Sequence, residues 1–188
     1  RYDLFRNRKI RNCLIRNVDQ ILVVSNLLKR AYAANNIQCT CICFNGYKFN
    51  ERSAAVQNHI KTKSRIRILL AGRIRRDKGI NFALNLLKHS SKIELVIAGD
   101  RGGEVLHKIA EGVGVSDRVR YLGQVLPDDM GHVYANTDIV VVPSLCLDTF
   151  GNVAAEALIS GKPLVVSKYC GISEYLENEV EAVIINPW

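Results

Sequence analysis

From residue 19 onward the chain repeats one pattern: a short β-rich apolar run, a turn, a helical stretch, then another apolar run. The runs fall at 21–25, 38–44, 65–71, 93–98, 119–122, 139–142, 163–166 and 181–185. Helical patterns lie between them at 26–36, 79–90, 103–114, 128–136, 151–160 and 171–177. Apolar runs of this length without polar alternation are typical of parallel strands buried on both faces. Strand–helix alternation sustained over this length predicts an α/β fold with a Rossmann-like, doubly wound parallel sheet. One such domain is expected over residues 18–188, led by a basic helix or linker at 1–17. Residues 47–63 are polar, lack a clear period and read as a loop or variable helix after the turn signal Asn45-Gly46.

Composition excludes several classes. With 48% hydrophobic and 23% charged residues the 188-residue chain can bury a full core, yet no apolar run approaches the roughly 18 residues of a membrane span. No signal peptide is visible, and from a start at Arg1 rather than Met the chain is expected to be an excised piece of something longer. Among the 6 cysteines, Cys39, Cys41 and Cys43 recur with period 2, which places them on one face of a strand. That is neither zinc-site spacing nor a disulfide framework; it suits small buried hydrophobes in a reducing compartment, so a cytoplasmic location is expected. Charge is divided unevenly, with 18 Lys and Arg against 4 Asp and Glu in residues 1–80, and 8 against 14 in the remainder. Such a basic half admits attraction to nucleic acid or an anionic membrane, or simply a solvated face. Aromatic residues make up only 7% and are not interleaved with the basic ones, which argues against a nucleic-acid stacking platform.

Doubly wound folds bind ligands outside the carboxyl ends of their strands, so the loops after strands matter most. Three carry glycine. The first, Gly72 to Gly79, holds Arg73, Arg75, Arg76 and Lys78 and could clasp a diphosphate, although it lacks P-loop spacing and a basic loop alone is more often solvated surface. The second, Gly99-Asp-Arg-Gly-Gly103, misses the spacing of a dinucleotide fingerprint. The third runs from Asp148 through Phe150, Gly151, Asn152 and Val153 to Glu156 at the start of a helix. A helix N-terminus there would attract an anion, and glycine would let it approach. Were the span wholly helical, the two acids would stand ~12 Å apart along the axis, beyond the roughly 5–9.5 Å of paired glycosidase carboxylates. They could instead grip two ends of an extended ligand. Equally, Asp148 or Thr149 could merely cap the helix while Glu156 faces solvent.

Taken in order, Arg73 to Gly79, Leu95 to Asp100, Arg118 to Gly123, Thr137 to Ser144, Asp148 to Gly161 and Lys162-Pro163 resemble the C-terminal, donor-binding half of a group 1 (family 4) glycosyltransferase. Residues 18–25 and Asn45-Gly46 match the start of that half, so the resemblance covers about 18–187. It implies the GT-B fold, two Rossmann-like domains facing across a cleft, with the N-terminal acceptor domain and the final C-terminal helices absent here. By the same resemblance Arg73 and Lys78 bind the donor diphosphate, Glu156 the ribose hydroxyls and Asp148 the transferred sugar. Backbone groups from Phe150 to Val153 and glycines 72 and 99 then line the donor, and Gln124 and Val125 lie against its base. Asp148, Arg73 and Lys78 are the implied catalytic residues. The family usually has Glu at the position of Asp148, a methylene longer.

The function so implied is retaining transfer of a hexose from UDP-sugar or GDP-sugar, GDP-mannose included, to a saccharide or lipid-linked acceptor in polysaccharide biosynthesis. No cofactor and no metal are expected, and the chain has no Asp-x-Asp pair. A lipid-linked acceptor would bring peripheral association with the cytoplasmic face of a membrane; nucleic acid is not an expected partner. Two alternatives stand beside this. One is a nucleotide-sugar epimerase, which would favour histidines in these loops, whereas His59, His89, His107 and His132 are scattered. The other is a non-catalytic basic module for nucleic acid or membrane.

Overall fold

Six apolar runs assemble into one sheet in a computed structural model that describes residues 12, 13, 15–41, 65–100 and 102–188. The strands are β3 (Ile66–Ala71), β4 (Ile93–Ala98), β5 (Val119–Gly123), β6 (Ile139–Val142), β7 (Leu164–Ser167) and β8 (Val183–Ile185). All are parallel, in the order β5-β4-β3-β6-β7-β8. The chain winds outward from β3 to one edge, returns to the middle at β6, and winds to the other edge. That order is the doubly wound one, and its switch point lies between β3 and β6.

Two-sided burial explains why the strands read as unbroken apolar runs. Along β3, Ile68 and Leu70 face one core, joined by Leu95 and Ile97 of β4 and by Val141. Leu69 faces the other, with Val96, Ala98, Val140, Leu164 and Val166. Helices α2 (Ile80–His89) and α3 (Gly103–Val113) cover the first face through Leu84, Leu87, Leu106 and Ala110. Helices α4 (Met130–Ala135) and α5 (Asn152–Ile159) cover the second through Tyr134, Ala154 and Ala157. Small residues on α5 let its backbone approach the sheet closely, as the full burial of Ala154 and Ala157 shows.

The structure differs from the sequence reading at both ends. Strands β1 (Leu22–Val23) and β2 (Thr40–Cys41) pair only with each other, in a separate parallel sheet, rather than extending the main one. Between them α1 (Asn26–Ala33) starts at Ser25, whose hydroxyl accepts from Leu28 N at 3.2 Å, a regular N-cap. Residues 171–177, expected as a helix, instead form a 3₁₀ turn over Gly171–Tyr175, because the segment is tied by its backbone to residues 148–150. Of the expected leading helix, residues 12, 13 and 15–17 are helical. The expected loop at 47–63, the Asn45-Gly46 turn and Cys43 lie outside the described residues.

At the switch point the loops after β3 and β6 meet at one glycine. Gly79 has φ +75°, and a Cβ there would sit 2.0 Å from the carbonyl oxygen of Pro143. Only a residue without a side chain permits both the left-handed backbone and that approach. Gly79→Ala should therefore cost about 2 kcal/mol or more in urea unfolding. Gly112, inside α3 with no atom within 4 Å of a built Cβ, is the internal contrast. Gly112→Ala should stabilise by about 0.5–1 kcal/mol. Equal effects at the two positions would contradict this packing.

Candidate functional site

The loops after β3 and β6, residues 72–79 and 143–151, are bound to each other side by side. Leu145 N donates to the Asp77 carbonyl at 2.8 Å. Lys78 Nζ reaches Asp148 Oδ2 at 2.5 Å, and the Ser144 hydroxyl donates to the same oxygen at 3.4 Å. The Lys78 and Asp148 side chains are 27% and 19% exposed, so the pair is shielded from water more than a surface salt bridge is. Asp148 is also held through its backbone, donating from N to the Tyr169 carbonyl at 2.8 Å and accepting from Gly171 N at 2.9 Å.

Helix α5 starts immediately beyond. Its N-cap is Gly151, at φ +101°, so neither Asp148 nor Thr149 caps it, correcting that reading of the two residues. Asp148 is occupied by Lys78, and the Thr149 carbonyl accepts from the Ser25 hydroxyl at 2.7 Å. A Cβ on Gly151 would stand 2.2 Å from Cys170 Sγ, so glycine is required by contact as well as by backbone angle. Cys170 is fully buried, with its thiol donating to the Phe150 carbonyl at 3.3 Å. Burial, with the Asp148 carboxylate adding to it, pushes the thiol up to about 12. Phe150 itself turns into the core at 6% exposure.

One turn into α5, Glu156 turns away from solvent-only surroundings. Its Oε2 accepts from the hydroxyl of Tyr134 at 2.7 Å, and Tyr134 is 3% exposed. This answers the expectation that Glu156 points only to water: a buried tyrosine orients it. Both acids of the stretch are thus fixed, on separate elements and by separate partners.

Between the loops lies a cavity of about 260 Å³. Gly72 and Arg73 come to it from the loop after β3, Gly99 from that after β4, Gln124 and Val125 from that after β5, and Val153 and Glu156 from α5. Ala71, Ala98, Asp100 and Met130, which the sequence reading did not single out, also line it. Among the described residues the Arg73 guanidinium makes no hydrogen bond or ion pair, and the residue is exposed. Lys78, Asp148, Phe150, Gly151 and Asn152 do not line this cavity; they form the joint and the helix start beside it. Tyr134 was missed because a tyrosine on a short amphipathic helix reads as core; its hydroxyl, which needs a partner when buried, was the available signal. Among the described residues no group of three His, Cys, Asp or Glu could hold a metal ion, and no helix is long and apolar enough to cross a membrane.

Comparison with known proteins gives the chain's family and fold. A family model for glycosyl transferases group 1 matches residues 51–187. An uncharacterized glycosyltransferase of Methanocaldococcus jannaschii is 33% identical over 141 residues, 72% of this chain and 34% of the relative. The lipopolysaccharide 1,2-N-acetylglucosaminetransferase of Salmonella typhimurium is 34% identical over 180 residues, 85% of this chain and 47% of the relative. The chain thus spans between a third and a half of the length of these relatives. Among solved structures, HepE of Anabaena in complex with UDP and glucose superposes with a TM-score of 0.85 at 21% identity, over 99% of this chain and 54% of that one. Sucrose-phosphate synthase of Thermosynechococcus elongatus gives 0.81 at 22% identity, over 98% and 49%. At these identities the structures speak for the fold, which is that of one half of a GT-B enzyme.

Thiol chemistry reads the joint directly. Cys146 is exposed, yet burial of its sulfur and the nearby Asp77 carboxylate hold its thiol above the ordinary value. Removing the Asp77 charge lowers that pKa and raises the thiolate fraction, so Asp77→Asn should speed alkylation of Cys146 several-fold near pH 8. Cys170 should stay unmodified until the chain unfolds. Mass spectrometry after timed iodoacetamide exposure checks both.

Proposed function

Because the chain belongs to the group 1 glycosyl transferases and forms their C-terminal domain, we propose that its switch-point cavity holds a nucleotide-diphospho-sugar for transfer. The donor proposed is a UDP- or GDP-hexose, transferred with retention of configuration to a saccharide or lipid-linked acceptor, the latter at the cytoplasmic face of a membrane. One observation carries the reading: Arg73 and Glu156, 83 positions apart in sequence, face one cavity floored by glycine backbone. A cation for phosphate and a carboxylate for hydroxyls are the two chemistries a nucleotide presents. The UDP-bound state of the similar HepE fold supports this assignment. At about 260 Å³ the cavity is smaller than the ~300–1,000 Å³ that encloses a ligand, as one wall of a two-domain cleft should be.

In this reading the Arg73 guanidinium takes diphosphate oxygens as a planar fork. Tyr134 occupies Glu156 Oε2, leaving Oε1 to accept from ribose hydroxyls. Gln124 and Val125 border the base. As the bond to the sugar breaks, negative charge grows on the departing diphosphate. Arg73, Lys78 and the N-terminus of α5 offset it, supplying the charge that a metal supplies in other transferases. Lys78 divides its charge between diphosphate and Asp148, and so aligns the carboxylate that orients the sugar. In this reading the leaving phosphate itself receives the acceptor's proton.

Calorimetric titration with UDP, GDP and ADP tests the reading. One nucleoside diphosphate should bind best, and Glu156→Ala and Arg73→Ala should each weaken it by about tenfold or more. Binding that survives both substitutions would place the nucleotide elsewhere.

A further inference from the structure

A second pocket lies on the same sheet face as the donor cavity, further toward the amino ends of the strands. Its volume is about 350 Å³. Strand register dictates what lines it. On this face Arg67 pairs with Glu94 across β3 and β4, and one row on Val96 of β4 pairs with Arg120 of β5. Helix α4 spans only 6 residues, and its Val133 meets Val96 and Leu122 of the sheet to form the apolar floor of the pocket. Arg67, Arg120 and His132 stand around that floor.

The two arginines differ in their surroundings. Arg67 has two carboxylates beside it: Glu94 Oε2 lies 3.5 Å from its Nε, and Asp138 Oδ2 accepts from its backbone N at 2.8 Å. The Arg120 guanidinium and the His132 ring have no hydrogen bond or ion pair among the described residues. A solvated surface arginine needs no partner, but one beside a concave apolar floor presents a fork to any anion whose body covers that floor.

We propose that this pocket binds a phosphate monoester carrying an apolar body, with Arg120 and Arg67 on the phosphate and Val96 and Leu122 beneath the body. Two sources share that chemistry, a soluble organophosphate and the headgroup of an acidic lipid. The site is separate from the donor cavity and does not depend on the donor reading. The two nonetheless share walls, since Ala98 and Met130 line one while Val96 and Val133 line the other, two residues along β4 and one turn along α4.

Phenyl phosphate is the probe, titrated into the 188-residue chain and followed by ¹⁵N amide shifts. It should bind more tightly than inorganic phosphate and move the amides of residues 120–122 and 132–133. Arg120→Ala should weaken it by about tenfold or more, Arg120→Lys by less, and Glu156→Ala not at all. In a parallel arm, phosphatidylcholine vesicles are compared with vesicles containing phosphatidic acid. Arg120-dependent sedimentation with the acidic vesicles assigns the lipid source; phenyl phosphate binding without it assigns the soluble one. Equal affinity in Arg120→Ala, shifts confined to the donor cavity, or no binding of either probe would overturn the proposal.

Discussion

The joint between the loops after β3 and β6 is the contact on which the site depends. These strands are neighbours at the centre of the sheet, where Leu69 pairs with Val140, 71 positions further along the chain. Pairing alone fixes the strands, not the loops beyond them. The loops are fixed by three different devices: the Lys78–Asp148 ion pair, the Leu145-to-Asp77 backbone hydrogen bond, and the approach of Gly79 to Pro143. Their combination matters more than any member. A half-shielded ion pair contributes modestly to stability, yet removing one partner leaves the other charge partly buried. The hydrogen bond and the glycine contact hold the backbones in place so that the ion pair needs little ordering of its own.

From that joint the remaining geometry follows outward. Arg73 leaves the first loop toward the cavity, and α5 leaves the second with Glu156 one turn in. On the far side, residues 148–150 are laced to 169–172, and Glu174 then reaches α1. Its Oε2 accepts from Leu27 N at 2.8 Å, near the positive end of the helix, and its Oε1 pairs with Arg30. Ser25 adds its hydroxyl to the Thr149 carbonyl. The β1–α1–β2 unit is therefore clasped to the back of the same segment that carries Asp148, although no strand of it joins the main sheet.

How much of this the sequence disclosed depended on the range of the interaction. Runs such as 93–98 and 139–142 were legible to the residue, because a strand buried on both faces needs an unbroken apolar run. The glycine-bearing loops were legible because parallel sheets put ligands at strand ends, and the family resemblance picked Arg73 and Glu156 from them. Lys78 and Asp148 were both singled out, but as two hands on a ligand; that they hold each other across 70 positions is a tertiary fact without local signal. The same holds for Tyr134 and Glu156, and for Glu174 and Leu27. Residues 171–177 were read as a helix because their composition allows one, and backbone bonds to 148–150 decided otherwise. The separate pairing of β1 with β2 was hidden because apolar runs declare burial, not the identity of the neighbouring strand.

In the function proposed, the switch-point joint presents one face to a nucleotide-sugar. Hydrogen–deuterium exchange, read peptide by peptide with and without saturating UDP and, in parallel, GDP, tests it most directly. Slowed exchange is expected in residues 72–79, 98–100, 124–125 and 150–156, with 80–89 and 103–113 unchanged. Protection elsewhere on the chain, or none from a nucleotide shown to bind, would contradict it.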